Sequence, residues 1–206
     1  MDREQVWANV THERGILGTL LRDLSAADWD SPSLCDGWRI RDVAAHVIAA
    51  PKVTVGDVLA ELRDRLLRRR PGPGRPRPGD RAVSAILADY ERLAASRRRP
   101  LGTTADDMLV DVLVHTQDVA IPLGLRHDPP AEAAVAALQR ACRVRFVYGT
   151  QRLLRGVRLE ATDADWSYGD GPLVEGRASQ LLLVCTGRGR AASGLTGPGA
   201  ARVTVA

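Results

Sequence analysis

The chain has 206 residues, of which 45% are hydrophobic and 26% charged, with a formal net charge of +4. That is enough apolar chain for a real core, in one large domain or in a medium one with a small companion. No run approaches the roughly 18 to 20 apolar residues of a membrane span, and the start Met1-Asp2-Arg3-Glu4-Gln5 is charged where a signal peptide is apolar, so a soluble cytoplasmic protein is expected.

From about residue 3 to 24, Val6, Val10, Leu17, Leu20, Leu21 and Leu24 recur at helical spacing with Trp7 beside them, which predicts a first helix. The stretch Asp28-Trp29-Asp30-Ser31-Pro32-Ser33 reads as a loop. A second helix is expected after Asp36-Gly37-Trp38, with Ile40, Val43, Ala44, Val47 and Ile48 on its apolar face and His46 three residues after Val43. Pro51 kinks or divides that helix before a further amphipathic run through Val58, Leu62, Leu66 and Leu67. The segment 63–81 then carries eight arginines against Asp64 and Asp80, a local charge of +6, so the remainder of the chain is slightly acidic. Pro71, Pro73, Pro76 and Pro78 with Gly72, Gly74 and Gly79 give it a composition that does not pack. A solvated loop is the first reading, and an anionic partner such as nucleic acid the minor one.

Asp80 is placed to cap a third helix with Val83, Ile86, Leu87, Tyr90 and Leu93 facing inward. The next opens at Thr103-Thr104, with Asp106 and Asp107 at its positive end, and runs to about Ile121 before Pro122 and Gly124 stop it. Another starts at Pro130 and continues through Val135, Leu138, Cys142 and Phe146 to about Leu154, with Gly156 at its C-terminal cap. Beyond it, residues 157–162 alternate like a strand, and Asp163-Ala164-Asp165 turns the chain into Trp166-Ser167-Tyr168. Residues 178–186 are helical up to Gly187, and 201–205 read as a last strand. The expected organisation is mainly α: a helical bundle over residues 1–155 and a small α/β unit over 156–206. At about 50 residues that unit is too small to be stable alone and should pack on the bundle. Cys35, Cys142 and Cys185 are far apart and form no CxxC pair, which leaves three reduced, mostly buried thiols.

The helix over 104–121 is the most informative. Met108, Leu109, Val110, Val112, Leu113, Val114, Val119, Ala120 and Ile121 make it apolar nearly all round, yet Asp111, His115 and Asp118 fall at i, i+4 and i+7 along one line. Three ionisable groups on a buried helix are costly without a charge partner. A divalent cation is such a partner, because it favours neutral imidazole and ionised carboxylate together. From this helix alone, a buried Asp–His hydrogen bond remains the alternative. His46 tips the balance: it sits on the inner face of another predicted core helix, whereas His12 stands beside Glu13 and Arg14 on an exposed face and His127 in a loop. A histidine from one bundle helix and an acid-x-x-x-His pair from another make a bundle metal site. Two histidines and one carboxylate leave coordination positions open, which suits catalysis.

Leu34-Cys35-Asp36-Gly37-Trp38-Arg39-Ile40-Arg41-Asp42-Val43-Ala44-Ala45-His46 resembles the opening signature of the mycothiol-dependent maleylpyruvate isomerase family, within the DinB-like superfamily. That signature is a Cys/Pro-Gly-Trp turn with a ligand histidine on the helix after it. Asp111-Val112-Leu113-Val114-His115-Thr116-Gln117-Asp118, followed by Val119-Ala120-Ile121-Pro122-Leu123-Gly124, is similar to the second signature, an acid-x-x-x-His-x-x-Asp with a Pro-Leu-Gly stop. Leu159-Glu160-Ala161-Thr162-Asp163-Ala164-Asp165-Trp166 and Leu181-Leu182-Leu183-Val184-Cys185-Thr186-Gly187-Arg188 are similar to the family's small C-terminal domain. The resemblance spans nearly the whole chain and is weakest between 52 and 99. It implies a DinB-like four-helix bundle followed by a small α/β domain, and one divalent metal, commonly zinc, on His46, Asp111 and His115. It also implies a low-molecular-weight thiol, mycothiol or a relative, as cosubstrate. Three features depart from the pattern: Asp111 where the family usually has the longer Glu, Pro51 shortly after His46, and the basic Pro/Gly segment.

Thiol-dependent transfer to, or isomerisation of, a small electrophile is the leading expectation. A metal lowers a thiol's pKa from roughly 8.5, and the thiolate attacks an activated alkene, an epoxide or a halide. Asp118 is expected to orient His115 or to assist proton transfer. Arg188 is expected to reach over the metal and bind a carboxylate of cofactor or substrate, and Trp38 to line the cofactor site or pack in the core. The alternatives are a non-catalytic metal-binding or regulatory module and a thiol-independent metal-dependent hydrolase. The expected partners are a small thiol and an electrophilic substrate, with no membrane, in a monomer or homodimer.

Overall fold

Residues 1–52 and 78–204 are described by the computed structural model. The run through Val58, Leu62, Leu66 and Leu67 and nearly all of the basic Pro/Gly segment lie outside them.

Helix α1 (Arg3–Arg22) starts at a reciprocal cap in which Asp2 accepts the Gln5 backbone N–H and the Gln5 side chain accepts that of Asp2. Its inner face buries Val6, Trp7, Val10, Leu17 and Leu21, as the periodicity requires. Part of the expected loop at 28–33 is instead helical: α2 (Ala26–Asp30) is capped by Ser25 and Asp28 and buries Trp29. Burial of one large aromatic outweighs the loop-like composition around it. The chain then reverses in a tight turn, where the Cys35 carbonyl accepts the Trp38 N–H at 2.9 Å and Gly37 takes φ +73°. That third turn position favours glycine.

Helix α3 (Ile40–Ala49) buries Ile40, Val43, Ala44, Val47 and Ile48 and gives way at Pro51 to a 3₁₀ turn (Ala50–Lys52). Asp42 in its first turn accepts from the backbone and guanidinium of Arg39 and from the backbone N–H of Gly79. This pins a second 3₁₀ turn (Pro78–Asp80) onto α3. Helix α4 (Val83–Leu93) buries Ile86 and Tyr90, with Val83, Leu87 and Leu93 packed at its edge. Asp80 does not cap it: that residue is used up in the 3₁₀ turn, and Ala82 holds the cap position. Helix α5 (Ala105–Ala120) begins at the expected Thr104–Asp107 cap, and Gly124 at φ +65° follows its end.

Helix α6 (Ala131–Arg143) starts after Pro130 but stops well short of Leu154, and residues 144–156 run as turns. Strand β1 (Arg158–Ala161) pairs antiparallel with β2 (Ser167–Tyr168) and parallel with β3 (Leu173–Gly176), in the order β2-β1-β3. Helix α7 (Ala178–Cys185) buries Leu181 to Cys185 and is followed by Gly187 at φ +82°. The early end of α6 has a local cause. Val144 leaves the helical region at φ −109°, Gly149 takes φ +70°, and the Thr150 hydroxyl donates to the carbonyl of Cys185 at 3.0 Å. The chain is thus held by α7 rather than by its own helix, and Phe146, expected within that helix, lies in the turns and is 66% exposed. The expected final strand is also corrected: residues 200–204 form a short helix, α8 (Ala200–Thr204), that buries Val203. The outer edge of β3 is already paired through Glu175 and Thr196, so no ladder is open there to a last strand.

The protein is a mainly helical bundle with a small three-stranded sheet toward its C-terminus. Helix α6 packs between α5 and α7. A continuous buried apolar cluster runs from α1, α3, α4 and α5 through α6 into α7 and the sheet. Among the described residues, no helix is long and apolar enough to cross a membrane.

Candidate metal centre

His46 comes from the second half of α3, and Asp111 and His115 from successive turns of α5. His46 Nε2 lies 3.3 Å from Asp111 Oδ1, and His115 Nε2 lies 3.5 Å from the same oxygen. The imidazoles are close to perpendicular, with centroids 5.0 Å apart. The His46 contact is within hydrogen-bond range, but both separations are wider than in a tight Asp–His pair. A charge-assisted hydrogen bond closes to about 2.7–2.9 Å, as His115 Nδ1 does on Asp118 at 2.8 Å. Ligand atoms about 2.0–2.1 Å from a shared ion stand about 3.0–3.4 Å from one another. The contacts around Asp111 Oδ1, at 3.3 and 3.5 Å, lie close to those edges, so the three residues fit a divalent cation, and the short Asp111 side chain meets both histidines.

Burial pushes the Asp111 carboxyl up, but His46, His115 and the guanidinium of buried Arg14 outweigh it and hold the group below its ordinary range. Burial pulls His46 down, and its hydrogen bond to Asp111 more than reverses this. The site is open on the His46 side: the His46 side chain is 43% exposed and that of His115 14%. Trp38 stands edge-on to His46 there, with centroids 5.4 Å apart.

Behind His115 lies the fully buried Asp118. Its Oδ2 accepts from His115 Nδ1 at 2.8 Å, Arg188 Nη2 at 2.8 Å and Cys35 Sγ at 3.0 Å, and its Oδ1 accepts from Arg188 Nε at 3.0 Å. Arg188 Nη1 donates to the Thr186 carbonyl at 2.7 Å. Because an ionised carboxylate only accepts, His115 carries a proton on Nδ1, and Nε2 is the nitrogen that faces Asp111. Burial acts to raise Asp118, but His115 and Arg188 hold it down to about 2. Burial and then the Asp118 charge push the Cys35 thiol up to about 12. Cys35, His115 and Asp118 also bring ligand-type atoms together. There the Arg188 guanidinium already supplies the positive charge, lying 3.5 Å from Cys35 Sγ as well as on Asp118.

Of the residues singled out from sequence, His46, Asp111 and His115 come together, Asp118 lies directly behind His115, and Trp38 stands against His46. Arg188 reaches the cluster but is engaged with Asp118 rather than held free above the ligands. Cys35 belongs to the cluster and was expected only as a buried thiol; its signal was the Gly37 turn just before the helix that carries His46. Glu13 and Arg14 are buried, not exposed with His12. His127 is in a loop, yet its Nε2 is 2.8 Å from Glu13 Oε2 and its side chain is 5% exposed. Tyr148, in the turns that replace the end of α6, has its hydroxyl pushed up to about 12 by burial, Asp107 and Asp111.

Residues 10–120 match the family described as mycothiol maleylpyruvate isomerase N-terminal domain. No curated protein matches the chain. The fold is similar to a crystal structure of the mycothiol-dependent maleylpyruvate isomerase, at 15% identity and a TM-score of 0.60, covering 96% of this chain and 93% of that one. It is likewise similar to a crystal structure of a histidine-to-alanine mutant of the mycothiol-dependent maleylpyruvate isomerase, at 18% identity, a TM-score of 0.60 and the same coverage. At such identities these likenesses speak to the fold. The family match runs from within α1 to the last residue of α5, takes in His46, Asp111 and His115, and spans more than half of the sequence. The chain belongs to the mycothiol maleylpyruvate isomerase N-terminal domain family.

Proposed function

We propose that this protein is a metal-dependent enzyme that uses a small thiol, mycothiol or a close analogue, to isomerise or transfer to a small electrophilic substrate. The observation that carries the reading is the convergence of His46 Nε2, Asp111 Oδ1 and His115 Nε2 at the spacing of ligand edges. Family membership supports the thiol as the partner. His46, Asp111 and His115 would hold one divalent ion, zinc by the donor set, and leave coordination positions for another ligand. When bound, the ion supplies the Lewis acidity that lowers the pKa of a thiol from about 8.5, so that its sulfur is ionised at neutral pH. Asp118 keeps the proton of His115 on Nδ1, and the Arg188 fork neutralises and orients Asp118 in a buried setting. Trp38 covers one side of the more exposed imidazole and would border the thiol.

Protein purified without chelator should carry close to one divalent metal per chain by elemental analysis, and His46→Ala or His115→Ala should lose most of it. Calorimetry should show mycothiol binding to the metal-loaded protein. Full metal retention in the double variant would sink the metal site. A metal-loaded protein that binds no small thiol would sink the thiol reading and leave metal-dependent hydrolysis or a regulatory role in its place.

A further inference from the structure

Nothing in this reading uses Cys35, yet it stands inside the polar cluster. The Leu34 N–H donates to the Asp118 carbonyl at 3.2 Å, and Cys35 Sγ donates to the Asp118 carboxylate at 3.0 Å, so main chain and side chain of Asp118 are both tied to one turn. The turn is itself braced. The Ser33 hydroxyl accepts the Cys35 N–H at 3.1 Å and donates to the Trp38 carbonyl at 2.9 Å, and Gly37 lets the chain reverse. At the other end of the turn, Trp38 stands against His46. The two ends of this four-residue turn therefore bear on the two imidazoles, Trp38 on His46 and Cys35 on His115, both at 3.8 Å from its Nδ1 and through Asp118.

We infer that Cys35 is a positioning residue of the metal site: its S–H, with the Arg188 fork, fixes the Asp118 carboxylate so that it accepts the Nδ1–H of His115 and leaves Nε2 for the ion. The geometry speaks against the two commoner roles of a cysteine beside a site. As a ligand, Cys35 would need a cation shared with Asp118 and His115 Nδ1, and there the Arg188 guanidinium already supplies the positive charge, on Asp118 and beside Sγ. As a nucleophile it would need a free sulfur, and this one is committed to a carboxylate 3.0 Å away. Three chain segments converge on Asp118: the turn before α3, α5 itself and the residues after α7. Removing the thiol cuts the side-chain tie from the first of these and leaves the carboxylate shared between Arg188 and His115 alone.

This inference rests on the metal-site reading, and the test separates the two. Nitrogen-15 NMR of the metal-free protein reports the His115 tautomer with neither metal nor thiol present, and competition with a chromophoric zinc chelator reports affinity. Cys35→Ser keeps a donor and should keep the Nδ1–H tautomer. Its zinc affinity should stay within about 3-fold of wild type, while Cys35→Ala should mix the tautomers and weaken zinc by about 10-fold or more, as loss of a ligand's support does. If Cys35→Ala does not fold, Cys35→Val, which fills the volume and donates nothing, must show the same mixing. Wild-type tautomer and affinity in the folded alanine or valine variant overturn the inference. Loss of zinc from Cys35→Ser as complete as from His115→Ala overturns it too, since the sulfur would then be a ligand. Zinc binding that survives His46→Ala and His115→Ala would count against the metal site alone, and the tautomer result would still decide the role of Cys35.

Discussion

At Arg188 the geometry changes the role read from sequence. A guanidinium has five N–H donors; here Nε and Nη2 grip Asp118, Nη2 also approaches Cys35, and Nη1 holds the Thr186 carbonyl. A receptor for a substrate carboxylate would have to give up part of that network, so Arg188 should act mainly through Asp118. Asp118→Asn and Arg188→Ala are each expected to weaken zinc by about 10-fold, little enough to leave the metal content of the purified protein nearly intact, and to lower kcat by about 10-fold or more. The double variant should be little worse than either, because groups in one network are not additive. Independent, multiplying losses, with Arg188→Ala acting on KM, would restore the carboxylate-binding role. The residues of this site differ in how well the sequence shows them. Asp111, His115 and Asp118 are conspicuous because they break an apolar helix along one line, and His46 because it shares a face with Val43 and Val47. Cys35 lies in a turn, where no period exists to reveal a direction. Glu13 and Arg14 adjoin an exposed histidine, and a step of about 100° per residue is enough to carry both inward.

Among the elements, the 3₁₀ turn Pro78–Asp80 is tied to the start of α3 by Asp42, which accepts the Gly79 N–H, and by Arg39 on Asp80. Asp42 is 1% exposed. Burial acts to raise its pKa, but the Arg39 guanidinium and N–H, with the Gly79 N–H, outweigh this and hold it below the ordinary 3.8. A carboxyl depressed in the folded state stabilises the fold fully above its unfolded pKa and loses that contribution as pH falls through the folded value. At pH 7, Asp42→Asn should therefore be less stable than wild type by about 1–3 kcal/mol. The gap should narrow as the pH drops below about 4, because the wild type alone forfeits an ionised partner. Melting curves that stay parallel from pH 7 to about 3 would refute this account. Helices α1, α3 and α5 are legible in the sequence because a cap or a proline marks an end and a 3.6-residue period fills the middle, and α4 from its period alone. The last third is less so. Val144 and Gly149 end α6 while its apolar spacing continues, and residues 201–204 alternate like a strand whose place on β3 is already taken by Thr196. Such outcomes are set by tertiary neighbours, which a local pattern does not contain.

For the whole molecule, we take residues 1–155 as the metal-binding part and 156–206 as a small unit packed on it. The apolar cluster crosses between them, with α6 packed on α7, and Arg188 crosses in the opposite sense to neutralise Asp118. The second part would then serve the site less as a separate module than as the supplier of one cation and the cover of one helix. A chain truncated after residue 155 should remain helical by circular dichroism, because α1, α3, α4 and α5 keep most of their mutual packing. It should melt at a lower temperature than the whole protein, since the side of α6 that packs on α7 is uncovered. Its zinc affinity should fall although all three ligands are still present, because Asp118 is left as a buried charge without its guanidinium, a state that costs on the order of 3–5 kcal/mol when nothing else relaxes. That cause has its own signature. In the truncated chain Asp118→Asn removes the unpaired charge and should recover stability, whereas in the whole protein the same substitution should cost stability. Destabilisation by Asp118→Asn in both chains would show that the C-terminal unit supports the site by packing alone, and cooperative folding of residues 157–206 by themselves would make them an independent domain.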